Sequence, residues 1–196
     1  MPLIACRVLV VGPTGSGKST LARELASRSG ILCVELDELR LEAGWKTVPD
    51  AQFRADVTSL VARPEWIISG NYAGVRDITW GHAQLVVWLD FSLPLVLRRL
   101  IPRTLRRLVS REEVGPGYRE TWRRVLSRHS IVYWAVRSHA PLRAEYERAM
   151  AVYGKRVAVV RLRSAREERE WLAATVADPT VASPATRGLV IPDGRL

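Results

Sequence analysis

Apolar residues along this chain form five short runs, each about as long as a buried strand. The runs cover residues 6–11, 31–36, 65–69, 84–90 and 156–162. Between them, apolar residues recur every three or four positions, as at Phe53, Val57 and Leu60, which is typical of a helix with one face on a core. Strands that alternate with helices predict an α/β fold in which helices cover both faces of a parallel sheet.

Residues with strong positional preferences mark the expected ends of these helices. Ser92 is a favourable N-cap for the helix after the fourth strand. Pro141 predicts the first residue of another helix, which Gly154 would end. Ser164 and Glu167 form a capping box at the start of a last helix.

Length and composition indicate one domain. The chain has 196 residues, of which 47% are hydrophobic, enough for one good core. We expect that core within residues 1–176, and the length excludes a large multi-domain motor. Residues 177–196 contain three prolines and two glycines and show little apolar periodicity. We therefore expect a flexible tail there.

Cysteine use and the lack of targeting signals predict a cytoplasmic protein without a membrane partner. Cys6 and Cys33 fall in expected core strands and lack the spacing of metal ligands, so we expect reduced thiols. No stretch approaches the 18 apolar residues of a membrane span. The N-terminal apolar run contains Arg7 and has no basic leader, unlike a secretory signal.

A glycine-rich segment follows the first apolar run with the spacing G-x-x-x-x-G-K-S. Such a segment directs successive backbone N–H groups into one concavity at a helix N-terminus, where phosphate binds. Lys18 is expected to reach the β- and γ-phosphates, and the Ser19 hydroxyl to ligate Mg²⁺. The expected nucleotide-binding residues here are Gly12, Pro13, Thr14, Gly15, Ser16, Gly17, Lys18, Ser19 and Thr20. The sequence thus predicts ATP and Mg²⁺ as cofactors.

The remaining motifs decide the class of phosphate-loop protein. No Asn-Lys-x-Asp segment, which reads guanine, is present, so a GTPase is disfavoured. Residues 6–175 resemble the nucleoside monophosphate kinases, and most of all the adenylate-kinase-like DNA topology modulation family. Besides the phosphate loop, the resemblance rests on Leu36-Asp37-Glu38-Leu39, Gly44-Trp45, Ser69-Gly70-Asn71-Tyr72, Val87-Trp88-Leu89-Asp90 and Arg103-Thr104-Leu105-Arg106-Arg107.

This resemblance implies a three-layer αβα fold with a five-stranded parallel sheet in the order 2-3-1-4-5. It also implies transfer of the ATP γ-phosphoryl to a nucleotide or another small acceptor, under an arginine-rich helical lid at about residues 104–140. Asp37 would lie in the water shell of Mg²⁺ and Arg40 on an acceptor phosphate. In small-molecule kinases of related fold, an Asp at this place orients or deprotonates an acceptor hydroxyl. The alternative for Asp37 is ordinary N-capping.

Further candidate residues for the acceptor follow the second and third strands. Trp45 is a candidate for stacking on an aromatic substrate. Gly70 would allow close backbone approach to a substrate, and Asn71 would hydrogen-bond it or form a plain turn. The family tends to have Asp where this chain has Ser69, and an Arg is missing at position 73. Arg76 is a candidate substitute for that missing arginine.

By the same resemblance, Asp90 closes a Walker B-like strand and is a candidate for indirect magnesium binding. Arg99 and Arg103 follow it by nine and thirteen residues, the spacing of two adenylate-kinase arginines that hold the transferring phosphoryl. Arg128 and Arg137 are candidates for arginines that return from the lid. The loop of Arg163 and Ser164 occupies the place where that family packs adenine.

Charge supports two alternatives to a kinase. Residues 98–148 hold thirteen arginines and five acidic residues, most of the net charge of +10. With Trp122, Tyr133 and Trp134 interleaved, this segment also fits a nucleic-acid-binding ATPase. The serine at position 69 fits a nucleotide sensor without catalysis. The sequence names neither the acceptor nor an oligomeric state.

Overall fold

The computed structural model describes residues 3–41, 46–110, 113–115, 118–119, 121–125, 127, 130–177 and 189–191. The strands are β1 (Leu3–Ala5), β2 (Arg7–Val11), β3 (Cys33–Glu35), β4 (Trp66–Ser69), β5 (Leu85–Leu89), β6 (Glu113–Gly115), β7 (Tyr118–Arg119), β8 (Ala158–Leu162), β9 (Val176–Ala177) and β10 (Leu189–Ile191). The helices are α1 (Lys18–Ser29), α2 (Leu36–Arg40), α3 (Asp50–Val61), α4 (Arg76–His82), α5 (Leu93–Ser110), α6 (Trp122–Val125), α7 (Ile131–Tyr153) and α8 (Ala165–Ala174), with a 3₁₀ turn at Ala73–Val75.

The central sheet has five parallel strands in the order β3-β4-β2-β5-β8. Counting these five along the chain gives the order 2-3-1-4-5, so the expected fold is confirmed. In the register, Val10 lies opposite Ser69 and Val11 opposite Trp88. The loops after β2, β4 and β5 therefore leave the sheet side by side, at the edge where ligands of such folds bind.

Alternating residues of the strands enter two cores, one on each face of the sheet. Val8 and Val10 of β2 face a core that includes Leu21 and Leu25 of α1, with α5 and α8. Leu9 and Val11 face the other core, which is built with α3, α4 and α7. Because both faces are buried, the strands have continuous apolar sequences, as the pattern predicted.

The expectation that a helix begins at Pro141 is wrong. Helix α7 begins at Ile131, and the Ser130 side chain accepts a hydrogen bond from the Val132 N–H as its N-cap. Pro141 lies inside the helix. A buried stripe including Ala135 and Tyr146 continues on both sides of it, so packing outweighs the one backbone hydrogen bond that a proline cannot donate.

Both ends of the expected lid, residues 104–140, belong to long helices of the structure. Residues 104–110 continue α5, where Thr104 and Leu108 are buried, and residues 131–140 belong to α7. The segment between these helices is described only in part. It includes the short antiparallel pair β6–β7.

The segment of residues 177–196, expected as a flexible tail, contains the strand β10, and its flexibility stays a prediction. Leu189–Ile191 pair antiparallel with Leu3–Ala5 and with β9, forming a second sheet. The other residues of that segment lie outside the described ranges. Within those ranges, no helix has the length and apolar character needed to cross a membrane.

Candidate active site

The phosphate loop joins β2 to α1 and has the backbone that its glycines predict. Gly15 and Gly17 have φ values of +83° and +99°, a region that favours glycine. A Cβ on Gly15 would lie 3.1 Å from the Leu100 Cβ. Gly17 is the N-cap residue of α1, so the first N–H groups of this helix point into the loop.

Lys18 folds back over its own loop, and its Nζ donates a hydrogen bond to the Pro13 carbonyl oxygen at 3.1 Å. Burial lowers the pKa of Lys18; the charges of Asp37 and Glu35 oppose this shift and that of Arg103 adds to it, and the resulting pKa is about 8. These charged groups therefore act on the Lys18 ammonium together. The charges of Arg103 and Asp37 therefore reach Lys18 of the loop, and their expected roles in catalysis stay predictions.

Ser19 has an acidic partner that the sequence analysis missed. Its hydroxyl donates to Glu35 Oε2 at 2.7 Å, and Glu35 also pairs with Arg23. Glu35 ends β3, two residues before Asp37, so its position at a strand end was the available signal. Hydroxyl and carboxylate oxygens are the ligands that Mg²⁺ prefers, and these residues fit that ion.

Among the described residues, no group of three or more His, Cys, Asp or Glu side chains is arranged to hold a metal ion.

Asp37 lies in the first turn of α2 rather than at its N-cap, which is Glu35. The N-capping alternative for Asp37 is therefore wrong. The Tyr72 hydroxyl donates a hydrogen bond to Asp37 Oδ1 at 2.7 Å. Burial raises the pKa of Tyr72, and Asp37 raises it further, so this hydroxyl keeps its proton at neutral pH.

The two arginines expected at an acceptor phosphate are both paired with protein carboxylates. Arg40 donates to the Val48 carbonyl at 3.0 Å, forms an ion pair with Asp50 at 2.6 Å and lies over the Phe53 ring. Arg76 forms an ion pair with Glu145 at 2.7 Å. In this structure, neither guanidinium is held ready for a phosphate.

Packing by itself requires glycine at position 70, and the expected approach of a substrate to this backbone stays a prediction. A Cβ on Gly70 would lie 2.6 Å from the Leu36 Cβ, a contact too short for any larger residue. Ser69 is buried in the sheet between β2 and β3. Asn71 is half-buried beside this turn, and Trp45 lies outside the described residues.

The expected role of Asp90 in magnesium binding is not supported. Its carboxylate is buried, and its Oδ2 pairs with Arg161 at 2.7 Å and with Arg143 at 3.3 Å. Arg161 also stacks over the Trp88 ring, 4.1 Å from its centroid. Two guanidinium groups on one carboxylate oxygen disfavour a divalent cation there, so we assign Asp90 a structural role.

The Arg99 side chain contacts the phosphate loop at a backbone carbonyl group of the loop. Its Nη1 donates to the Ser16 carbonyl at 2.6 Å, and its Nη2 pairs with Glu168 at 3.1 Å. The guanidinium lies over the Phe91 ring, 4.7 Å from its centroid. Through these contacts Arg99 stabilises the conformation of the phosphate loop and thus acts as a brace for it. Glu168 was missed because sequence spacing does not show which helix faces the loop.

Four candidate residues remain. Arg128 and Arg137 come from the arginine-rich segment, and Arg163 and Ser164 precede α8. Arg137 is exposed on α7, with Nη1 3.4 Å from the Tyr133 hydroxyl, and Arg128 lies outside the described residues. The capping box is confirmed: Ser164 accepts from the Glu167 N–H at 3.1 Å, and the Arg163 N–H donates to Glu167 at 2.9 Å. Both candidate adenine residues therefore lie at a well-ordered helix start.

Comparisons with known proteins give the class but not the acceptor. No family model matches the chain. Shikimate kinase of Synechococcus elongatus is 28% identical over 137 residues, covering 63% of this chain and 72% of the relative. Shikimate kinase of Nitrobacter winogradskyi is 29% identical over 155 residues, covering 65% and 72%. A solved shikimate kinase from Acinetobacter baumannii in complex with shikimate has 18% identity and a TM-score of 0.48, covering 85% and 88%.

The predicted class, a phosphate-loop kinase, is confirmed by these relatives. They support the adenylate-kinase-like part of the resemblance, but not the DNA topology modulation family.

Proposed function

We propose that the protein transfers the γ-phosphoryl group of ATP to a hydroxyl group of a small acceptor, with Mg²⁺. The observation that carries this proposal is the place of Asp37, two residues after Glu35, which accepts a hydrogen bond from the Ser19 hydroxyl of the phosphate loop at 2.7 Å. The charge of Asp37 also acts on Lys18. A phosphate-binding ammonium and a carboxylate that can take a hydroxyl proton are the two groups that this reaction needs most.

Each residue has a role in this proposal. Lys18 and Arg103 offset the negative charge of the transferring phosphoryl, while Arg99 braces the loop through the Ser16 carbonyl. Asp37 accepts the proton of the acceptor hydroxyl. When bound, Mg²⁺ neutralises phosphate charge, and Ser19 with Glu35 would hold it.

The pairing of Arg40 and Arg76 favours an acceptor without a phosphate group. A nucleoside monophosphate needs cations to clamp its phosphate, yet both arginines already form ion pairs at 2.6 and 2.7 Å. Replacing a carboxylate partner by a phosphate would first break these pairs, which costs only about 1 kcal/mol or less where the carboxylate is exposed, as Asp50 is. Because the sequence relatives are shikimate kinases, shikimate is the first hydroxyl acceptor to test.

Membership of the DNA topology modulation family and a cytoplasmic location stay part of this proposal. The family motifs quoted above support the first, and the free thiols of Cys6 and Cys33 support the second.

A screen for acceptor-dependent ADP release tests the proposed function. The panel contains shikimate, gluconate and other polyhydroxy acids, sugars, aminoglycosides, nucleosides and nucleoside monophosphates. We expect turnover with a hydroxyl acceptor that carries no phosphate. Asp37→Asn should lower kcat by about a hundredfold with ATP affinity retained, whereas Asp56→Asn on the surface of α3 should match the wild type. A kcat of Asp37→Asn within threefold of wild type would exclude Asp37 from the chemistry.

Nucleic-acid binding remains a second candidate, favoured by exposed aromatic residues. Trp122 and Trp134 are 58% and 57% exposed, and Arg137 lies exposed beside the latter. Bases can stack on such rings while arginines contact the backbone. Titration of single-stranded DNA at 150 mM salt, followed by tryptophan fluorescence, tests this: micromolar or tighter binding supports it, and no quenching removes it.

A further inference from the structure

Tyr72 contacts the Asp37 carboxylate from outside the element that carries it. Asp37 lies exposed on α2, whereas Tyr72 lies in the loop between β4 and the 3₁₀ turn. The hydrogen bond from the Tyr72 hydroxyl to Asp37 Oδ1, at 2.7 Å, therefore links two loops at the edge of the sheet. An exposed aspartate would otherwise sample several rotamers.

Packing holds the Tyr72 ring in the place from which it reaches Asp37. The ring meets the buried Phe53 ring edge-on, with centroids 5.2 Å apart. The Arg40 guanidinium also lies over the Phe53 ring, 5.1 Å from its centroid. Arg40 lies one helical turn after Asp37 on α2. The contacts from Arg40 to Phe53, from Phe53 to Tyr72 and from Tyr72 to Asp37 therefore hold α2 against α3 and the loop after β4.

We propose that Tyr72 positions the Asp37 carboxylate so that Oδ2 faces the acceptor hydroxyl. The inference rests on the proposed function, in which Asp37 accepts the acceptor's proton. Tyr72 is a donor here, because burial and the nearby carboxylate keep its own proton in place. Its hydroxyl thus occupies Oδ1 and fixes the plane of the carboxylate, which leaves Oδ2 for the hydroxyl that reacts.

This role differs from two others that the same contact allows. A tyrosine that merely stabilised the fold would affect protein stability and leave turnover of the folded enzyme unchanged. A tyrosine that blocked the acceptor site would weaken acceptor binding, so its removal would lower the acceptor KM. A positioning residue acts through Asp37 alone, and its effect on kcat should vanish when Asp37 cannot accept a proton.

A double-mutant cycle separates these roles, with the acceptor found in the screen. Tyr72→Phe should lower kcat about tenfold, the equivalent of one lost hydrogen bond, with the KM for ATP within twofold. In the Asp37→Asn background, adding Tyr72→Phe should change kcat less than twofold. Tyr153→Phe is the matched control, since Tyr153 is also half-buried and packs on an aromatic ring, that of Trp80. It should retain wild-type kcat.

Three results would overturn the inference: a Tyr72→Phe kcat within twofold of wild type, an undiminished effect in the Asp37→Asn background, or a lowered acceptor KM with kcat intact. Urea unfolding of the wild type, Tyr72→Phe, Asp37→Ala and the double variant tests the contact without turnover, because alanine, unlike asparagine, has no side-chain oxygen to accept the Tyr72 hydrogen bond. The shift in midpoint caused by Tyr72→Phe should disappear in the Asp37→Ala background, and an additive shift would refute the contact. Failure of all acceptors would instead overturn the proposed function, and this inference with it.

Discussion

Raising the pH above 8 should weaken ATP binding by removing the charge of Lys18. The Lys18 ammonium donates to the Pro13 carbonyl within its own loop, and burial lowers its pKa to about 8. Only the charged form attracts the β- and γ-phosphates strongly. Bound phosphates favour that form, so ATP binding above pH 8 should be coupled to proton uptake.

The size of the effect follows from the pKa. With a pKa of about 8, roughly nine tenths of Lys18 is charged at pH 7 and roughly one tenth at pH 9. The affinity for MgATP should therefore fall about tenfold between these values. In the free protein the sign is opposite for stability: the unfolded chain holds the proton up to a pKa of about 10.4, so the Lys18 contribution to stability rises with pH from 8 to 10.4.

Calorimetric titration with MgATP at pH 7, 8 and 9, in buffers of different ionisation enthalpy, measures both affinity and proton uptake. Lys18→Arg is the control, because arginine stays charged throughout this range. Its affinity should be independent of pH, whatever its absolute value. A wild-type affinity that is constant from pH 7 to 9, or an equal pH slope in Lys18→Arg, would show that the charge of Lys18 does not control MgATP binding in this range.

Two further substitutions test the geometry around the loop. Gly70→Ala should lower the free energy of unfolding by about 1–3 kcal/mol, because the new Cβ would overlap Leu36. In the control Gly74→Ala, the new Cβ meets no atom within 4 Å, so this variant should unfold near the wild-type midpoint. Equal unfolding midpoints for the two variants would disprove the overlap. Arg99→Met should raise the Kd for MgATP about tenfold through the lost brace on the loop, while Arg98→Met, exposed on the same helix, should not; equal Kd values would remove Arg99 from the site.

The phosphate loop could be predicted because local rules determine it, whereas the order of the sheet was predicted from the resemblance to nucleoside monophosphate kinases. The glycine spacing of residues 12–17 requires a backbone that only glycine adopts readily, and all three of these glycines have positive φ. The apolar runs are continuous because both faces of each strand are buried. A parallel sheet with this motif on its first long strand then leaves few topologies.

The partners of charged side chains could not be predicted, because they depend on which elements meet in space. The spacing of Arg99 from Asp90 indicated a helix face but not its target, which is a backbone carbonyl of the loop and Glu168 on α8. Asp90 itself lies between two arginines from α7 and β8. The helix start predicted at Pro141 was wrong for a related reason, because tertiary packing of α7 overrides the preference of proline for the first turn of a helix.

Phosphorus NMR of the reaction with MgATP and shikimate, beside a parallel reaction with a nucleoside monophosphate, tests the central claim most directly. We expect a new phosphate monoester resonance to grow with the first acceptor in step with ADP, and to be lost in Asp37→Asn. We expect no nucleoside diphosphate to form from the nucleoside monophosphate. Formation of a nucleoside diphosphate from that acceptor, or release of ADP and inorganic phosphate alone with every hydroxyl acceptor of the panel, would contradict it.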